Sequence, residues 1–160
     1  MRAITLSVVT ILMLATGSAL AASSGNLDLT GVIAAACDVV VTPVVGTADN
    51  LPFGAAAVDL NVASVNESCN VPAGYDMTAQ SSQSSVLTPV GASLDTVPYT
   101  FKYATVTFDL SGGGAVNVTN VTSPTPGGGV NKAVDISYAD PSGFAADSYT
   151  DTITFTITAK

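Results

Sequence analysis

The stretch that decides the fold is Tyr149-Thr150-Asp151-Thr152-Ile153-Thr154-Phe155-Thr156-Ile157-Thr158-Ala159. Its odd-numbered positions are mostly apolar, whereas every even-numbered position from 150 to 158 is threonine. Side chains of a β-strand point alternately to two faces, so the stretch predicts one strand over residues 149–159 with one face on a core. Asp151 interrupts the apolar face near the start of the strand, where we expect it to reach water.

The same period of two recurs along the chain from residue 26 onward. It predicts strands over residues 26–41, 58–64, 74–79, 98–108, 115–121 and 133–138. Residues 112–114 predict a turn, and the Gly/Pro-rich residues 124–129 predict a flexible connection. No mature segment longer than about ten residues has the 3.6-residue apolar period of a helix. About seven short strands at this spacing predict an all-β fold, a β-sandwich in one domain.

Composition excludes several functional classes. The 160 residues include no histidine, only four basic side chains and a net charge of -8. Histidine-ligated metal sites and imidazole catalysis are therefore excluded, and the cations are too few to neutralise a nucleic-acid backbone. No two carboxylates have a distinctive catalytic spacing. We expect no enzyme activity, no cofactor and no metal site.

The first 21 residues have the layout of an export signal. Met1 and Arg2 precede an apolar run over residues 4–15, and Ala19-Leu20-Ala21 forms a small-residue cleavage site. This pattern predicts a secretory signal cleaved after Ala21, with Ala22 as the alternative position. The other interpretation, a retained membrane anchor, needs roughly 20 apolar residues, and this run is shorter. The sequence therefore predicts an exported protein.

Export places Cys37 and Cys69 in an oxidising compartment, where a disulfide is the expected state. The bond would close a loop of about 33 residues and contribute about 3–4 kcal/mol in the chain-entropy description. The alternative is a reactive or metal-binding thiol. It is disfavoured because the chain has no histidine to stabilise a thiolate.

The alternating segment Leu27-Asp28-Leu29-Thr30-Gly31-Val32-Ile33 leads through a small-residue run to Cys37. Together with Cys69 and the terminal strand introduced by Tyr149, this order resembles a subunit of a chaperone–usher pilus (a pilin). The closing strand also resembles that of the related spore-coat-U-like secreted proteins. The extension before Leu27 is shorter than in a major pilin, and Ala159 stands where many pilins have tyrosine.

The resemblance implies an incomplete immunoglobulin-like β-sandwich that lacks its final strand. Residues 22–33 would form an N-terminal donor segment running into the first strand, and residues 34–160 the pilin-type domain. Addition of a strand to a sheet edge combines backbone hydrogen bonds with side chains that fill pockets. The implied donor residues are Leu27, Leu29, Gly31 and Ile33, with Gly31 suited to a shallow pocket or a close backbone approach. The implied acceptor and chaperone-pairing residues are Tyr149, Ile153, Phe155 and Ile157.

The resemblance also implies partners and a location. The chain would be a structural subunit of a cell-surface fimbria, reached through the periplasm, supporting adhesion or biofilm formation. Its partners would be a periplasmic chaperone, an outer-membrane usher, and identical or related subunits. Two alternatives stay open. In the first, residues 27–33 are the first strand of a complete monomeric sandwich. In the second, the chain is a secreted or fimbrial-tip adhesive or carbohydrate-binding β-sandwich that acts as a monomer.

Overall fold

A computed structural model describes residues 27–48 and 50–160. The predicted signal, residues 1–21, lies outside the described residues. The chain divides into two units, Met1–Val32 and Ile33–Lys160. The described residues contain no helix and form ten strands. The strands are β1 (Cys37–Pro43), β2 (Ala57–Cys69), β3 (Tyr75–Ser81), β4 (Val86–Pro89), β5 (Val97–Tyr103), β6 (Val106–Phe108), β7 (Val116–Val121), β8 (Thr125–Tyr138), β9 (Tyr149–Thr150) and β10 (Ile153–Ala159).

The strands form two antiparallel sheets. The seven-stranded sheet has the order β1-β2-β8-β5-β4-β9, with β6 paired to β5, and the three-stranded sheet has the order β10-β3-β7. Apolar side chains from both sheets share one core, among them Val65 of β2, Met77 of β3 and Phe101 of β5, each fully buried. The prediction of an all-β, sandwich-like fold is confirmed.

The disulfide between Cys37 and Cys69 is also confirmed. The two residues are direct partners across the β1–β2 ladder, so the bond lies where the first strand begins. Cys69 is buried and Cys37 is half-buried. Because β1 has only β2 as a paired neighbour among the described strands, the bond fixes β1 to the sheet at the end where the chain enters it.

A buried carboxylate links the two sheets next to this bond. Glu67 of β2 is fully buried and accepts hydrogen bonds from the hydroxyls of Tyr103, Tyr75 (2.8 Å) and Thr119 (3.3 Å). Tyr103 belongs to the same sheet as Glu67, whereas Tyr75 and Thr119 belong to the other. Burial, and then the hydrogen bond to Glu67, raise the pKa of Tyr103, so its hydroxyl stays protonated and continues to donate. Three donors to one buried carboxylate offset the cost of removing it from water.

The predicted first strand is wrong in part. Residues 27–36 have no strand, and pairing begins only at Cys37. The alternation of residues 27–33 is therefore not used in either sheet among the described residues. The portion from Cys37 to the break at Pro43 is confirmed as β1.

Two predicted connections differ from the structure. Residues 98–108 form a hairpin rather than one strand, because the chain reverses at Ala104, which has a φ of 56°. The predicted flexible connection over residues 124–129 is wrong, since β8 begins at Thr125 and includes all of these residues but the first. Gly127, Gly128 and Gly129 all have positive φ, and the β2–β8 register shifts between Glu67 and Cys69. The glycines thus form an irregularity within a strand that continues on both sides.

The remaining strand predictions are close to the structure. Residues 74–79, 115–121 and 133–138 fall on β3, β7 and β8. Residues 58–64 fall within β2. Two of the three shifts in the pairing of β2 with β8 lie between Ala57 and Ala63, and Val58 is exposed while Val62 and Val65 are buried. The short strand β4 was not predicted, because its four residues are too few to show a period.

We predict that Gly74→Ala destabilises the fold by about 2–4 kcal/mol. Gly74 has a φ of 83°, and a Cβ there would lie 2.0 Å from the backbone oxygen of Val121 in the neighbouring strand. Gly112→Ala is the matched control, since an added Cβ meets nothing within 4 Å. Urea titration of the monomeric fraction measures both free energies of unfolding. Equal values for the two variants would contradict the assigned clash.

Candidate functional site: a groove between two sheet edges

The candidate site lies where the free edges of the two sheets meet. β1 ends the seven-stranded sheet and β10 ends the three-stranded sheet, and Cα atoms of the two strands come within 8 Å of each other. Among residues 27–48 and 50–160, no strand pairs with the outer edge of either one. Each outer edge presents backbone N–H and C=O groups that a further strand could pair with. We call these the free edges of β1 and β10.

The strand walls of this region are apolar and only partly covered. On β10, Ile153, Phe155 and Ile157 point to the core but are half-buried. On β3, the next strand of the same sheet, Met77 and Ala79 are fully buried. The difference follows from position, because β3 lies between two strands and β10 has one neighbour in the described part of the chain.

The opposite wall has the same character. Val39 of β1 packs against the core, whereas Val41, two residues further on the same face, is 43% exposed. Pro43 ends the strand and supplies no backbone N–H. The wall therefore offers apolar surface to a side chain inserted between β1 and β10.

A cavity of about 310 Å³ opens between these walls. Val41 and Pro43 line it from β1, and Ile153 and Phe155 line it from β10. Its floor consists of core side chains of the larger sheet: Val62, Ala63, Leu87, Tyr99, Val134 and Ile136. We refer to the cavity and the free edges together as the groove. The groove is an apolar slot bordered by backbone that can form a ladder, a combination that suits an extended peptide.

Phe155 connects the groove to the centre of the core. Its ring centroid lies 6.2 Å from that of Phe101 and 5.7 Å from that of Tyr103. These distances are typical of favourable aromatic pairs. The β10 wall is therefore held by packing on rigid rings of the opposite sheet, and its shape exists before anything enters the groove.

Asp151 fixes the point where the chain passes from one sheet to the other. The prediction of a single strand over residues 149–159 is wrong: β9 pairs with β4 in the larger sheet, and β10 pairs with β3 in the smaller. Between them, the Asp151 carboxylate accepts hydrogen bonds from the hydroxyls of Ser81 (2.5 Å), Tyr99 (2.5 Å) and Ser82 (2.8 Å). The backbone N–H of Gln83 also donates to it at 3.0 Å. Asp151 therefore serves as an anchor, and it is half-buried.

The hydrogen bonds also set the charge state of this carboxylate. Burial alone would raise the pKa of Asp151, but the hydrogen bonds from Ser81, Tyr99, Ser82 and the Thr152 N–H outweigh it and hold the pKa below its usual range. Asp151 lines the groove at the start of β10, so the groove has a fixed negative charge at this end.

The structure brings together some predicted site residues and separates others. Ile153, Phe155 and Ile157 lie on one face of β10, as predicted. Tyr149 lies apart from them in β9, opposite Pro89, and donates a hydrogen bond to the carbonyl of Ala145 at 2.8 Å.

The predicted donor residues belong to neither sheet. Leu27, Leu29 and Ile33 are 81%, 85% and 89% exposed. Gly31 is exposed as well. Large aliphatic side chains in a row at such exposure are unusual for a soluble chain.

The chain matches no known family model, and no curated protein is similar to it in sequence. Within the described residues, no helix is long and apolar enough to cross a membrane. The same residues contain no group of three or more histidine, cysteine, aspartate or glutamate side chains placed to hold a metal ion.

We predict that Asp151→Asn lowers the free energy of unfolding by about 1–3 kcal/mol at pH 7, because an amide cannot accept all the donated hydrogen bonds. A carboxylate whose folded pKa is depressed stabilises the fold above its unfolded pKa of about 3.9 and loses this contribution as the pH falls through the folded value. The difference between the native chain and Asp151→Asn should therefore shrink below about pH 4.

Urea titrations of both proteins from pH 7 to pH 2.5 measure this difference. Asp38→Asn is the control, because Asp38 is an exposed carboxylate outside the cluster. A difference that stays constant over the whole pH range would refute the role given to the carboxylate.

Proposed function

We propose that the chain is a structural subunit of a surface fimbria that polymerises by donor-strand exchange. In this process, residues 27–33 of one copy enter the groove of another and complete its fold. The observation that carries the proposal is the groove itself, where two free edges border a half-covered apolar slot. The resemblance to pilins, drawn from the sequence, supports the same function.

The proposed donor and acceptor match in length and pattern. Residues 27–33 are seven in number, and β10 also has seven residues. Leu27, Leu29 and Ile33 fall on one face of an extended chain, which suits a slot whose apolar lining lies on the side of the core. Their exposure means that their apolar area is still available for burial in a partner.

Burial of these three side chains accounts for a long-lived joint. Each fully buried leucine or isoleucine contributes roughly 1.5–3 kcal/mol, and the backbone ladder adds about 0.5–1.5 kcal/mol for each hydrogen bond. Part of this gain is offset by the entropy lost on association. The remainder favours a joint that dissociates slowly, which a fibre exposed to its surroundings needs.

The same groove explains the proposed need for a chaperone. Free strand edges beside apolar surface promote non-specific association of subunits. A periplasmic chaperone that lends a strand to the groove would cover both until an outer-membrane usher presents the donor of the next subunit. On this proposal the chain is exported and ends in a cell-surface fimbria, where it supports adhesion or biofilm formation.

We predict that Leu29→Lys lowers the yield of polymer at least tenfold, because the variant would bury an ammonium group in an apolar slot. Thr30→Lys is the matched control, because the side chain of residue 30 points to the other face of the donor. This variant should polymerise as the native chain does. Polymer appears as a ladder on SDS gels of unheated samples and collapses to monomer when the samples are boiled. Deletion of residues 22–31 should abolish the ladder.

A mixing experiment separates donor from acceptor. Val41→Lys places a charge on the groove wall, so this variant should donate but not accept, whereas Leu29→Lys should accept but not donate. Each variant alone should stay monomeric, and the mixture should give a heterodimer that grows no further. Ladders from either variant alone would contradict the proposal. A native monomer that never polymerises and binds a saccharide would favour the alternative carbohydrate-binding module.

A further inference from the structure

The side chain of Asn70 fixes the backbone of the linker between the proposed donor and β1. Residues 34–36 are three alanines that join Ile33 to Cys37. The Asn70 side-chain amide donates to the carbonyl of Ala34 at 2.8 Å, and its oxygen accepts from the N–H of Ala36 at 2.7 Å. The Asn70 backbone N–H also donates to the carbonyl of Ala36 at 3.0 Å.

These hydrogen bonds continue the pairing between β1 and β2 by a few residues on the N-terminal side of Cys37. Cys37 pairs with Cys69, and the next pair outward joins Ala36 to Asn70. The side chain of Asn70 then reaches one step further, to Ala34. Residues 34–36 are therefore held beside the end of β2, next to Asn70.

If residues 27–33 instead folded back along β1, they would fill the groove of their own chain. A reversal over residues 34–36 would make a hairpin of residues 27–33 with β1, and the strand so formed could lie only on the free edge of β1, because β2 occupies the other edge. Such a hairpin would fill a copy's groove with its own donor. Neither that donor nor that groove would then be available to another copy.

Two features of the linker oppose this reversal. Three-residue hairpin loops usually need a residue with positive φ, which glycine adopts readily and alanine does not. A reversal would also break both bonds from the Asn70 side chain, since these require residues 34–36 to be extended.

We propose that Asn70 is a positioning residue that prevents a copy from filling its own groove and so commits the donor to a second copy. This inference rests on the proposed function, because it concerns the same donor and groove. It adds that the Asn70 amide and the three alanines of the linker determine whether a copy fills its own groove (self-closure) or polymerises.

The test compares full-length native chain with Asn70→Ala and with Asn70→Ala/Ala36→Gly, which also removes the steric barrier to a turn. We expect the monomer fraction on unheated SDS gels to rise at least threefold in the single variant and further in the double variant. Asn61→Ala is the control, because the Asn61 side-chain amide also donates to backbone carbonyls, those of Ala63 and Val134, away from the linker. It should leave the monomer fraction unchanged.

Two measurements on the isolated monomers distinguish self-closure from simple damage. A self-closed monomer should unfold at a temperature at least equal to that of the native monomer, and it should bind a fluorescent peptide of residues 26–34 at least tenfold more weakly. A damaged monomer unfolds at a lower temperature and binds the peptide as before, and this result would overturn the inference. So would a native-like monomer fraction in both variants while native ladders depend on Leu29. If the native chain forms no Leu29-dependent ladder, the proposed function fails, and this inference fails with it.

Discussion

The structure depends on how many neighbouring strands each strand pairs with, because this number decides how well its core-facing side chains are covered. β3 lies between two strands and buries its apolar face, whereas β10 and β1 each pair on one side only among the described residues. Their inward side chains are consequently half-buried at Ile153 and Phe155 and 43% exposed at Val41. Because exposure of apolar area to water is unfavourable, any strand that covers this edge stabilises the fold.

One disulfide and two hydrogen-bonded carboxylates fix the strands that border this edge. The disulfide of Cys37 and Cys69 fixes the start of β1, and the Glu67 carboxylate joins hydroxyls from both sheets beside it. At the other wall, Asp151 fixes the point at which β10 begins. The groove is thus preorganised at both walls, which lowers the ordering entropy that a bound strand must overcome.

Sequence patterns predicted the strands well where a regular period continues, and poorly where one polar side chain redirects the chain. Residues 149–159 alternate without a break, yet two strands in different sheets result, because Asp151 draws its hydrogen-bond donors from β3 and β5. The only sequence signal was an aspartate on an otherwise apolar face. Asn70 gave no signal, since its partners are the backbone of residues distant in sequence. The disulfide was predictable because a pair of cysteines behind a predicted export signal suffices for that expectation.

An exposed edge must also reject the wrong strand, and the chain carries features that limit indiscriminate pairing. Pro43 removes a donor from the end of β1, and Asp38 places a charge on its outer face. The net charge of -8 makes copies repel one another, although salt confines this repulsion to about 8–10 Å. Two free edges gain little from meeting, because the apolar side chains of β1 and β10 that face inward already pack against their own core. The alternating segment of residues 27–33 brings Leu27, Leu29 and Ile33. In the proposed joint, selectivity therefore comes from the side chains of the entering strand rather than from its backbone.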